Sequence, residues 1–92
     1  MEWVETAFES WDALFDARHR RLPAIRAIEL LDRIAHDPEH MWSIAEPVPV
    51  DGRARPMRRT LIEAGRPVSL WIYWMRDDNL GSIIAFFAPV ES

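Results

Sequence analysis

Residues 68–88 read VSLWIYWMRDDNLGSIIAFFA, and the way this stretch alternates decides what the rest of the chain must build around it. Val68 to Met75 and Ser82 to Ala88 are rich in β-branched and aromatic residues, and Asp77-Asp78-Asn79 punctuates them as a turn, so they predict two antiparallel strands. In the first, Val68, Leu70, Ile72 and Trp74 share one face and Ser69, Trp71, Tyr73 and Met75 the other. In the second, strict alternation places Ile84 and Phe86 on one face and Ile83, Ala85 and Phe87 on the opposite one. Neither strand has a clearly polar side, whereas an antiparallel sheet in a small protein ordinarily presents one face to water.

Upstream, Met57 to Glu63 predicts a third strand ended by Ala64-Gly65, which makes the C-terminal part an antiparallel meander. Residues 38–56 hold four of the seven prolines, Pro38, Pro47, Pro49 and Pro56, together with Gly52. They predict a wandering connection anchored by Met41, Trp42 and Ile44. Further back the period becomes helical. Phe8, Trp11, Phe15 and Leu22, with Leu14 beside them, define an apolar stripe, and Glu5, Glu9, Asp12 and Asp16 an acidic one, over a helix from 8 to 21. Its acids come early and Arg18, Arg20 and Arg21 late, the order that the helix dipole favours. Leu22-Pro23 breaks that helix and starts a second, whose face of Ile25, Ile28, Leu31 and Ala35, flanked by Leu30 and Ile34, runs to Asp37-Pro38. So short a joint predicts an antiparallel helical hairpin, and residues 3–7 a short opening strand.

The expected fold is α+β, an N-terminal helical hairpin packed on a small antiparallel sheet, with residues 1–92 forming one domain. A chain of 92 residues buries only about 60–65 % of its unfolded surface, so the core has to be efficient. The absence of cysteine removes disulfides, thiolate metal sites and a Cys nucleophile, and fits a reducing compartment. No stretch approaches the roughly 18 apolar residues of a membrane span, and the N-terminus lacks a basic n-region and an apolar h-region. The expectation is therefore a cytoplasmic protein with no membrane partner.

Two helices of about four turns cover one face of a three- or four-stranded sheet. That leaves Trp71, Tyr73 and Phe87 for another chain or a second copy, unless the proline-rich segment with Trp42 folds over them. Three such aromatics, at about 150–250 Å² each, reach the few hundred Å² that monomers seldom expose.

The polar candidates cluster by charge. The chain has a net charge of −4, yet residues 52–76 carry Arg53, Arg55, Arg58, Arg59, Arg66 and Arg76 against the single acid Glu63. This basic run is a candidate surface for phosphates or an acidic partner. Arg58, Arg59, Glu63 and Arg66 are the weak candidates for catalysis, Glu63 as a general base if burial raises its pKa. Arg53, Arg55, Arg58, Arg59 and Arg76 join Trp71, Tyr73 and Phe87 as partner-binding candidates. His36 and His40 in HDPEH flank Pro38, which spoils the i, i+4 geometry that a metal needs. No metal and no cofactor is expected, and His19 reads as a surface residue near a helix end.

The order strand, helical hairpin, loop and three-strand meander resembles the RelE/ParE superfamily of bacterial toxins, over most of the chain. WVETAFESWDALF is similar to the opening strand and first helix of the YoeB-like branch, and LPAIRAIELLDRIAHDP to its second helix with an acidic-proline ending. Met57-Arg58-Arg59 resembles its basic strand start, and Arg66 before an apolar strand with an Asp-Asp turn completes the order. The resemblance implies a toxin of a toxin–antitoxin system, neutralised by a cognate antitoxin that wraps sheet and helices. Ribosome-dependent RNases of this kind carry basic residues with a His or Tyr near the C-terminus. This chain instead reads Ala85-Phe86-Phe87-Ala88-Pro89-Val90-Glu91-Ser92, so the resemblance points to inhibition of translation or of gyrase by binding. A non-toxic homodimeric module and a ribosome-dependent mRNA endonuclease are the alternatives.

Overall fold

The computed structural model describes residues 1–15, 21–49, 52, 56–63 and 69–90, with the side chains of 14, 15, 21–24, 63 and 69 outside that description. In chain order the elements are β1 (Glu2–Trp3), α1 (Glu5–Phe15), α2 (Arg21–His36), α3 (Pro38–Ile44), β2 (Glu46–Val48), β3 (Met57–Glu63), β4 (Ser69–Asp77) and β5 (Gly81–Pro89). The class is α+β. The strands form a five-stranded sheet in the order β1-β5-β4-β3-β2. All neighbours are antiparallel except β1, which lies parallel to β5 with Glu2 opposite Ile83 and Trp3 opposite Ile84. The sheet is thus mixed rather than purely antiparallel.

The meander follows the sequence pattern closely, and the proline-rich connection does not. Pro38 opens α3 instead of ending order: at the first helical position its missing N–H costs nothing and its fixed φ suits the helix. Pro47 lies in β2, an edge strand, where a residue that cannot donate to a ladder is tolerated. The N-terminal strand is shorter than the expected 3–7 and α1 begins earlier, at Glu5 rather than Phe8. The joint between α1 and α2 lies in 16–20, outside the described residues.

Registered pairs share a face, so Ile62, Leu70, Ile72, Trp74, Ile84 and Phe87 line one side of the sheet. Ala7 of α1, Ala27, Leu31 and Ile34 of α2, and Met41 of α3 join them in one buried cluster, with Trp3, Trp11, Leu30 and Trp42 packed around it. The buried stripe of α2 is therefore Ala27, Leu31 and Ile34, and the expected core residues Ile25 and Ile28 are exposed instead, as is Phe8 of α1. A buried aromatic such as Trp74 removes about 150–250 Å² from water, worth about 4–6 kcal/mol before entropy is counted.

Strand β5 has a bulge that overturns one sequence expectation. Tyr73 pairs with Phe86, but the next residue, Trp74, pairs with Ile84, leaving Ala85 as the extra residue. Alternation is reset there. Phe87, expected on the open face with Tyr73, turns into the core at 3 % exposure and packs against Trp3 and Trp11 with ring centroids 5.3 and 5.1 Å away. Phe86 takes its place outside.

Helix α1 also closes the edge of β5 beyond the end of β1. Thr6 Oγ1 donates to the carbonyl of the bulged Ala85 at 2.7 Å, and the Phe87 amide donates to Ser10 Oγ at 2.9 Å. Two side-chain hydroxyls thus replace a missing strand, so these edge groups keep their partners under the helix.

Candidate functional site

The other side of the sheet carries Glu46 and Val48 of β2, Met57, Arg59 and Leu61 of β3, Trp71, Tyr73 and Met75 of β4, and Ile83, Phe86 and Ala88 of β5. Every buried helical side chain among the described residues belongs to the opposite side. The described part of the proline-rich segment does not cross over either: Trp42 packs edge-on against Trp74, centroids 5.2 Å apart, on the helical side. Trp71, Tyr73 and Phe86 are only half-buried, and Leu61 is 38 % exposed.

Arg59 organises this open face. Its guanidinium lies 4.0 Å from the Trp71 ring centroid. Its Nη2 donates to Glu46 Oε1 at 2.6 Å and its Nη1 to the Tyr73 hydroxyl at 3.4 Å. The bond to Glu46 first, and that to Tyr73 second, hold the Arg59 pKa above its ordinary value despite the opposing effect of burial. Register brings the set together: Glu46 and Tyr73 both sit directly opposite Arg59, from the strands on its two sides. Tyr73 in turn stacks on Phe86 with centroids 4.3 Å apart and planes 14° from parallel. Beside them is a half-open hollow of about 400 Å³ lined by Arg59, Trp71, Tyr73, Ala88, Pro89 and Val90.

The neighbouring arginine has a different job. Arg58 points to the helical side, where it donates to the Trp42 carbonyl at 2.6 Å and lies 4.8 Å from the Trp42 ring centroid. The pair expected to act together is split across the sheet, as period 2 requires. Arg76 is also on the helical side, half-buried and opposite Ser82, away from Arg59. Arg53, Arg55 and Arg66 lie outside the described residues, as does the side chain of Glu63. Phe87 belongs to the core and not to any partner surface. Of the expected set, Arg59, Trp71 and Tyr73 come together.

Glu46 is the member the sequence reading missed. Its signal is an acid directly before Pro47, and it acquires meaning only when Glu46–Val48 is seen as a strand paired with β3 from Val48↔Met57 to Glu46↔Arg59, where opposite charges pair across strands. On the helical side His36 Nδ1 donates to the Asp32 carbonyl at 2.8 Å, a local helix contact, and no group of metal-binding side chains occurs among the described residues. No helix of the described chain is long and apolar enough to cross a membrane.

No family model matches the chain, and no curated protein or solved structure compared with it does so either.

Proposed function

We propose that the chain is a toxin of the RelE/ParE type that acts by gripping another macromolecule with the open face of its sheet, and that a cognate antitoxin polypeptide neutralises it by covering that face in the cytoplasm. The observation that carries this reading is the position of Trp71, Tyr73 and Phe86, side by side on a sheet surface that no described helix shelters. Element order supports it as well: an opening strand beside the last strand, two helices, then a meander.

The size of the face favours a wrapping partner over a flat homodimer. Strands about 4.8 Å apart and rising about 3.3 Å per residue give this sheet a footprint of roughly 500 Å², against about 800 Å² per partner in a standard stable interface. A polypeptide that continues past the sheet edge onto the helices makes up the difference. A second copy stacked on the sheet alone does not.

Expression from a tightly controlled promoter tests the reading. It predicts growth arrest, relief by co-expression of the adjacent short reading frame, and co-purification of the two products. Trp71→Ala with Tyr73→Ala is expected to abolish arrest while the purified chain stays folded. A chain that never arrests growth and sediments as a dimer at micromolar concentration would instead be a homodimeric module.

A further inference from the structure

We infer that the hollow beside Arg59 anchors an Asp or Glu side chain of the partner polypeptide, with a flat apolar side chain from the same partner laid against Trp71. This rests on the open face being the partner surface.

Arg59 is the sole arginine on that face among the described residues, and it is held before any partner arrives: Trp71 supports its plane, while Glu46 and Tyr73 fix its two ends. A guanidinium set in this way loses little freedom on receiving a carboxylate, and its planar fork matches the two oxygens. Its Nε is buried and has no hydrogen-bond partner. One acceptor is therefore missing from an otherwise complete arrangement.

Glu46 shows which chemistry the guanidinium accepts. Its carboxylate already occupies one end of the fork at 2.6 Å, yet its side chain is 53 % exposed against 29 % for Arg59, on the three-residue edge strand β2. It is an internal stand-in. A partner carboxylate displaces it from the fork, and Glu46 moves out to water, where solvent and salt screen the second negative charge. The walls of the hollow away from Arg59, namely Ala88, Pro89 and Val90, are apolar and suit the neighbouring flat side chain.

A nucleic acid fits the same place less well. It too offers an anion beside a planar ring, but binding there draws on several cations along the backbone, and this face presents one described arginine that already faces an acid. The net charge of −4 repels a polyanion further.

The test uses the full chain, isotopically labelled, and follows the Trp71 indole N–H by NMR. The probes are the capped dipeptides acetyl-Glu-Phe-amide and acetyl-Lys-Phe-amide, with adenosine 5′-monophosphate as the nucleotide. The Glu-Phe probe should shift the signal saturably and bind about five-fold or more tighter than Lys-Phe. Arg59→Lys should weaken it by a similar factor while the remaining spectrum keeps its dispersion, because an ammonium neither stacks nor forks. Glu46→Gln should tighten it, since the internal competitor is gone. Equal binding of the two dipeptides, tighter binding of the nucleotide, or no saturable shift overturns the inference. If a co-purified partner covers Trp71 and Tyr73 but these variants leave dipeptide affinity unchanged, the carboxylate anchor fails alone. If the partner leaves the sheet face untouched, the partner-surface reading fails with it.

Discussion

Trp74 crosses the core side of the sheet and donates its Nε1 hydrogen to Thr60 Oγ1 at 2.9 Å, two residues along the neighbouring strand from its own register partner, Arg58. Trp74 is fully buried, so this hydroxyl is what lets the indole N–H lie among apolar side chains. Thr60→Val keeps the shape and removes the acceptor. Urea denaturation is expected to show a loss of about 1–3 kcal/mol with unchanged slope, and Trp74→Phe in the same chain should add less than it costs alone, because the two changes share one bond.

The bulge at Ala85 separates two adjacent phenylalanines by environment. Phe87→Ala opens a cavity between Trp3 and Trp11 and should cost about 3–5 kcal/mol, a large part of the stability of a small domain. Phe86→Ala loses a stacked ring on an open face, worth about 0.5–1.5 kcal/mol. Comparable urea midpoints for the two variants would mean that the alternation runs through position 85 without interruption.

Arg58 and Arg59 should divide stability from function. Arg58→Ala removes a donor to the Trp42 carbonyl and a cation from the Trp42 ring, lowering stability by about 1–3 kcal/mol. Arg59→Ala gives up its contacts to Glu46, Tyr73 and Trp71 and should lower stability by no more than Arg58→Ala does, but of the two it alone should abolish growth arrest or partner capture. Arrest that survives Arg59→Ala at normal expression levels would take this residue out of the mechanism.

Ser10→Ala removes the hydroxyl to which the Phe87 amide donates beneath α1. Hydrogen exchange at that amide is expected to accelerate by about ten-fold, the equivalent of about 1.4 kcal/mol of local protection, while amides in the centre of β4 change little. Uniform acceleration across the sheet would show instead that Ser10 supports the whole fold.

Legibility of the sequence differed from segment to segment, for physical reasons. Met57 to Glu63 could be read as a strand because its apolar and β-branched content is bounded by clear breakers. Pro38 and Pro47 misled because the same ring that breaks a helix interior or a central strand is welcome at a helix start or a sheet edge, and single-chain reading cannot tell which position applies. Trp71 and Tyr73 were placed correctly by period 2. Phe87 was not, because a single unpaired residue, Ala85, reverses every side chain after it, and an alanine among apolar residues gives no sign of a bulge. Glu46 stayed hidden for a related reason: its role depends on register with a strand that starts eleven positions later.

Thr6 and Ser10 find their β5 partners 79 and 77 positions further along the chain, and β1 pairs with the same strand. A ribosome makes Thr6 and Ser10 nearly eighty residues before it makes their partners in β5. At about 5–20 residues per second, α1 and Trp3 spend several seconds with no sheet to close upon, since loops this long have to be shut before their contacts form. The folded surface that carries Arg59 and Trp71 therefore arises after β5 has left the exit tunnel, and an interrupted translation product never acquires it.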